Sequence, residues 1–394
     1  MRPPEESMAG VRLALERYME DDLPAARALR RRLHAEAEIS HQENETRRTL
    51  SRALGGAIPV AERSLLFRLG PDDRPEVVLR AEMDALPMDE KTGAEYASTS
   101  GAMHSCGHDI HMAALVCVLK AIARVQAALP LSVAGLFQHS EELYPLGGRQ
   151  VAESGALSTS KAIVAAHVHP DIPFGEVACD PGPVNAALDF FRIVIQGTPG
   201  HGAYPHRSKD AISALCDCIA TLQQVVPRSI DPLHAAVVTV GQIEGGSAPN
   251  AFPAEAVAAG TFRTLNPEDR NRLQALLPEV VKHVAKAWGC EGEVVLTPGE
   301  PAVVNDEALA VATRHELEDW GMKPARQWRS CGSDDFGFYG EIAPSVMMFV
   351  GVRGRLLGPL VPLHHPEFLP GDEAVEAVAR SYLSGLMGAL TTLE

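Results

Sequence analysis

Short apolar runs alternating with helix-period segments limit the folds open to this chain more than any other feature. The run Val77-Val-Leu79 and the stretches 131–138 and 161–166 are almost continuously apolar. Strands of that kind are buried on both faces, which is the condition inside a parallel sheet. Between them lie segments of helical period. Residues 25–36 form one, with Asp22 as expected N-cap and Pro24 in its first turn. Another follows His111, with Leu115, Val118, Leu119, Ile122 and Val125 on one face and Pro130 as its stop. A strand-then-helix rhythm of this kind predicts an α/β domain built on a doubly wound, mostly parallel sheet.

Near residue 186 the rhythm changes. Strand patterns at 188–195, 235–243, 254–264 and 293–296 flank helical patterns at 210–226 and 267–288, the second interrupted or kinked at Pro278. The order βαββαβ is that of a ferredoxin-like α+β domain. The chain then resumes with a helix at 306–320, a strand at 346–350 and a closing helix at 372–390. At 394 residues two domains are expected. The predicted division is a catalytic domain in two parts, 1–185 and 301–394, with an inserted lid domain at 186–300.

A formal net charge of −16 argues against nucleic acid and anionic membranes as partners. It also means that a substrate carboxylate must meet a local cation. No segment has the length and apolarity of a membrane span, and Met1-Arg-Pro-Pro-Glu-Glu has no apolar signal core. Seven cysteines, an odd number without framework spacing, predict a reducing, cytoplasmic setting.

The densest chemistry lies in His104-Ser-Cys106-Gly-His108-Asp109-Ile-His111, followed by the adjacent pair Glu141-Glu142. Thiolate, imidazole and carboxylate are the donors a borderline-soft divalent metal takes. Cys106 and His108 converge on one ion only if Gly107 makes a tight turn. Glu141 and Glu142, read as ending a buried strand, would point to opposite faces, one to metal and one to a water. Asp84, the glutamate pair and His167 all follow strand ends, where ligand sites of open parallel sheets lie. Of His167 and His169, one is expected to face the site. His364, in a loop, gains weight only as a completing donor. Taken singly, Cys106 reads equally well as a small buried side chain, Asn250 as a turn residue and Arg263 as a solvated strand charge.

The segments Arg80-Ala-Glu-Met-Asp84-Ala-Leu-Pro87, His104 to His111, Phe137-Gln-x-x-Glu141-Glu142, Gly197-x-x-Gly200-His201, Gly245-Gly-x-x-x-Asn250, Gly260-Thr-x-Arg263 and Leu363-His364-x-Pro366 occur in collinear order. Together they resemble the co-catalytic metal amidohydrolases related to aminoacylase and bacterial carboxypeptidase, within the zinc peptidase superfamily. The branch resembled holds hippurate hydrolases and indole-3-acetyl-amino-acid hydrolases. The resemblance implies Cys106, His108, Glu142, His167 and His364 as ligands of two divalent ions. Zinc is expected first, with manganese, nickel or cobalt as alternatives. It implies Glu141 as general base and then acid, Asp84 as an orienting carboxylate, and His201 as the group that polarises the scissile carbonyl. Asn250 and Arg263 would hold the substrate carboxylate.

The implied reaction is hydrolysis of a small-molecule N-acyl-L-amino acid to a carboxylic acid and a free amino acid. Dimerisation through the inserted domain is compatible with the resemblance. Glu82, His139-Ser140, Thr198-Pro199 and Ser333-Asp334-Asp335 depart from the branch's usual residues without removing a ligand or the base. The alternatives are a dipeptidase or carboxypeptidase, a non-catalytic metal-dependent binding protein, and an enzyme using Cys106 as nucleophile. A pure binder has no use for Glu141.

Overall fold

The computed structural model describes residues 7–71 and 74–393; the segment Met1 to Glu6, read above as lacking a signal core, lies outside them. The chain divides into two compact units. Pro183–Val303 and Arg329–Gly337 form the second, and the rest forms the first.

The first unit is built on an eight-stranded sheet. Its strands run in the spatial order Ile58–Val60, Ser64–Leu69, Ser132–Gln138, Glu76–Glu82, Ser160–Pro173, Ser345–Arg353, Glu176–Ala178 and Lys323–Pro324. The four central strands are mutually parallel, and the antiparallel pairings lie outside them. From Glu76–Glu82 the chain passes to one side, Ser132–Gln138, and then to the other, Ser160–Pro173. That reversal is the topological switch point of a doubly wound sheet, outside whose carboxyl end ligands bind. Every residue of Glu76–Glu82 and Ser132–Gln138 is buried, as their apolar composition predicts.

The helix His108–Val125 is buried over all of its first twelve residues and packs against the helices Met8–Ala35 and Glu373–Leu393. It begins at His108 rather than after His111. The first helix differs more from expectation. It runs from Met8 to Ala35, straight through Pro24, and its N-cap is Ser7, whose hydroxyl accepts from the Gly10 amide. Asp22, the expected cap, instead pairs with Arg124 at 3.0 Å. An internal proline costs about 3 kcal/mol. Buried Leu15, Met19 and Leu23 on the N-terminal side of Pro24 outweigh that, at about 1.5–3 kcal/mol each.

The second unit carries a four-stranded antiparallel sheet in the order Ala236–Gly245, Glu255–Thr264, Ala187–Gln196, Glu291–Pro298. With the helices Ala211–Ser229 and Pro267–Ala287 this is the ferredoxin-like arrangement. Pro278 neither interrupts nor ends its helix, whose Leu273, Leu277, Val281 and Ala285 are buried. Leu215, Leu222, Phe191, Ile193 and Ile195 join the same core. The stretch Arg329–Gly337 belongs here because its backbone is tied in. Ser330 donates to the Val184 carbonyl and Ala186 to the Gly332 carbonyl, each at 2.9 Å.

Candidate metal centre

Gly107 makes the turn that the motif requires. Its φ of 85° is left-handed, and it caps the helix that opens at His108. A Cβ at this position would collide with Val168 Cγ2, so only glycine brings Cys106 and His108 to the same side. Cys106 Sγ lies 3.4 Å from His167 Nε2. Cys106, Glu142 and His364 present donor atoms within 4.8 Å of one another, and so do His108, Glu141 and Glu142. His364 Nε2 is 3.3 Å from Glu142 Oε1. Thus Cys106, His108, Glu141, Glu142, His167 and His364, all in the first unit, come to one place.

The imidazoles are held in the tautomer that a metal needs. His108 Nδ1 donates to the Asp84 carbonyl at 2.8 Å, and His167 Nδ1 donates to the Val168 carbonyl at 2.7 Å. A carbonyl only accepts, so Nδ1 carries a hydrogen in both rings and Nε2 is the nitrogen left to meet another partner. His108 Nε2 and Glu142 Oε1 are buried and make no hydrogen bond. Buried polar atoms left without a partner are costly unless something else meets them. Thiolate, imidazole and carboxylate donors converging on such orphans suit one or two divalent ions. The charge field agrees: burial lowers the His108 pKa, but Asp84, Glu82 and Glu142 outweigh it and bring the value to about 10. The site therefore draws positive charge.

Asp84 is fully buried, accepts from the Ser40 hydroxyl at 2.6 Å and from the Glu142 amide at 2.9 Å, and faces His108. Burial would raise its pKa, but His108, Ser40 and that amide hold it at about 2. Behind His108 and His167 sits a second buried group. His111 Nδ1 donates to Glu82 Oε2 at 2.9 Å, and its Nε2 accepts from the Val168 amide at 3.0 Å. Both ring nitrogens are used, so His111 is a brace rather than a donor. Glu82 also pairs with buried Arg80, and that guanidinium together with the His111 N–H holds its pKa far down against burial.

Two expectations of position are corrected. Glu141 and Glu142 do not end the strand, which stops at Gln138. Ser140, at φ 48°, breaks the extended backbone, so the two carboxylates converge instead of pointing to opposite faces. His167 and His169 lie inside the strand Ser160–Pro173, not after it. Alternation puts both on one face, but His169 packs against Trp328, with ring centroids 4.6 Å apart and planes tilted by 59°. The departures His139 and Ser140 are buried and internally satisfied. His139 meets Ser64 and Gln150, while Ser140 bonds Glu43 through its amide and hydroxyl.

The remaining candidates lie in the second unit. His201 sits in the short strand Gly200–His201, paired with Ala251–Phe252, and the Gly202 amide donates to the Asn250 carbonyl at 2.7 Å. His201 and Asn250 therefore share one ribbon. Arg263 Nη1 donates to the Cys331 carbonyl at 3.0 Å, which leaves most of its five donors for other acceptors.

Sequence reasoning missed Ser40, Glu43, Arg30 and His34. Arg30 and His34 are buried on the first helix and converge on Asp109, at 2.7 and 3.0 Å. The signal was present: Arg30 falls on the apolar stripe of Leu23, Ala26 and Leu33, where an unpaired charge would not be buried.

With these donors in place, comparison with known proteins settles the class. The family model for peptidase family M20/M25/M40 matches residues 78–387. A Bacillus subtilis N-acetylcysteine deacetylase is 33% identical over 366 residues, covering 91% of this chain and 94% of the relative. An Arabidopsis thaliana IAA-amino acid hydrolase is 33% identical, covering 88% of this chain and 81% of its own. A solved Bacillus subtilis structure, described as a dinuclear metal binding peptidase from the M20 family, superposes with a TM-score of 0.83 at 30% identity. It covers 95% of this chain and 99% of that one. The chain belongs to the M20/M25/M40 family and is a metal-dependent amidohydrolase.

Proposed function

We propose that the chain hydrolyses the amide bond of N-acyl-L-amino acids, with Glu141 as the proton-transferring group. The observation that carries this reading is the convergence of Glu141 with His108 and Glu142 in the same donor cluster. Cys106, His108, Glu142, His167 and His364 would hold two divalent ions, zinc first among the candidates. When bound, such ions supply Lewis acidity, acidifying water and polarising an amide carbonyl.

Glu141 takes a proton from water as the water oxygen attacks the carbonyl carbon, and returns it to the amine nitrogen as the C–N bond breaks. The products are a carboxylic acid and a free amino acid. Asp84 orients His108 and the Glu142 backbone. His201 donates to the carbonyl oxygen, while Asn250 and Arg263 take the substrate carboxylate; the spare donors of Arg263 support that role. The inserted unit acts as lid and as the contact of a homodimer. Exposed Val237 and Val295 support the second role, since they lie on the sheet face turned away from the unit's core. Seven cysteines, an odd number with no disulfide among the described residues, support a cytoplasmic setting. Among the described residues no helix is long and apolar enough to cross a membrane.

The test is release of free amino acid from N-acetyl, N-benzoyl and longer N-acyl amino acids by zinc- or manganese-loaded protein. Glu141→Gln should keep its metal and lose turnover by a hundred- to ten-thousand-fold, roughly. Unchanged turnover would overturn the assignment of Glu141. Release from dipeptides alone would overturn the acyl reading.

A further inference from the structure

The loops that carry Glu142 and His364 are unusually apolar at the surface. Leu143 and Tyr144 follow Glu142 directly and are 39% and 47% exposed; Leu357 and Leu360, on the loop leading to His364, are 63% and 65% exposed. These are four of the nine large apolar side chains that the first unit leaves exposed among the described residues. The stretch Leu356-Leu-Gly-Pro-Leu-Val-Pro-Leu363 contains no polar side chain at all, in a chain of net charge −16. Loops at a protein surface are ordinarily polar, and a contiguous exposed apolar patch marks a contact site.

The loop has its own anchors. Leu356, Val361 and Leu363 pack on the core of the first unit. The Leu357 amide bonds the Leu369 carbonyl at 2.8 Å, and the His364 amide bonds the Ser105 carbonyl at 3.0 Å. Leu357 and Leu360, which flank the turn Gly358-Pro359, are therefore not needed to fix the loop. The two loops meet where His364 Nε2 lies 3.3 Å from Glu142 Oε1. Leu143 is one residue from that contact, and Leu360 is four residues from it, within about 14 Å of chain.

We infer that Leu143, Tyr144, Leu357 and Leu360 form an apolar rim that receives the acyl group of the substrate. The substrate class is then amino acids carrying apolar acyl groups larger than acetyl. This rests on the N-acyl reading above. The occupant is argued from continuity: Leu143 adjoins Glu142 in the chain and Leu360 lies four residues from His364, so these side chains are the apolar surface that both loops offer next to that contact.

The experiment compares kcat/KM for N-acetyl-, N-butanoyl- and N-hexanoyl-alanine, using the full-length, metal-loaded protein. Each methylene that the rim buries should raise kcat/KM about fourfold. In the double variant Leu357→Asn, Leu360→Asn, the hexanoyl-to-acetyl ratio should fall about tenfold, and Leu357→Met, Leu360→Met should restore it. Equal ratios in all three proteins, with acetyl substrate turned over, overturn the rim and leave the N-acyl reading standing. An unchanged ratio with loss of a concentration-dependent dimer in the asparagine variant also overturns it, in favour of a second copy as occupant. No turnover of any member of the series overturns both readings.

Discussion

Arg30, His34 and Asp109 show how much of this centre rests on groups that never face it. Arg30 is fully buried and bonds Asp109, Tyr96 and Asp372; His34 spans Asp109 and Glu90, with 3.1 Å to the latter. Asp109 follows His108 in sequence, so this network fixes the first turn of the helix on which the donor sits. Removing one partner of a buried ion pair typically costs 3–5 kcal/mol. Arg30→Met should lower the unfolding free energy read from urea titration by that measure, because Asp109 is left charged and buried. Burial lowers the His34 pKa, but Asp109 and then Glu90 outweigh it and raise the value to about 9. A raised value stabilises the fold below the ordinary value of about 6.5 and loses that contribution as pH rises through about 9. The loss is roughly 3 kcal/mol. Melting curves from pH 6.5 to 9.5 should fall more steeply for the native chain than for His34→Gln. The donors themselves were legible because they cluster within motifs. Of their supports, the burial of Arg30 could be read from its apolar stripe but its partner could not, since Arg30 and Asp109 stand 79 residues apart.

Among the elements, the turn at Gly107 matters most. Gly107→Ala must place a Cβ at φ 85° and against Val168, which moves Cys106, His108 or the strand Ser160–Pro173. The backbone term alone is about 1–2 kcal/mol. The larger expected effect is a ten- to hundred-fold loss of metal affinity, roughly, as for other disturbed supports of donor residues. Metal content after equilibrium dialysis measures it. The type of each long element was readable from period and apolar run. Ends were not, where tertiary burial decides them. Pro24 sits inside a helix because Leu15, Met19 and Leu23 are buried ahead of it. The strand at 160 continues to Pro173 because Ser345–Arg353 pairs along it as far as Arg353.

At the level of the whole molecule, all six clustered donors belong to the first unit, and the second has its own core. Divalent metal should therefore protect one unit selectively. At a hundred times its dissociation constant an ion stabilises the state it binds by about 2.7 kcal/mol, a hundred-fold slowing of exchange through unfolding. Hydrogen exchange should slow in His108–Val125 and Ser160–Pro173 on adding zinc, and stay unchanged in Pro267–Ala287. Equal slowing in both units would show that they unfold as one. The two-unit plan was visible as a change of rhythm near residue 186. The return of Arg329–Gly337 to the second unit was not, because backbone hydrogen bonds hold it there and these leave no side-chain pattern. The dispersal of the donors also sets an order of assembly. During synthesis the inserted sheet has all its strands by Pro298, whereas His364 has yet to be made. A nascent chain can thus complete the sheet of its second unit before it owns all six clustered side chains. If Cys106 and His364 hold metal as proposed, loading must wait until His364 has been made.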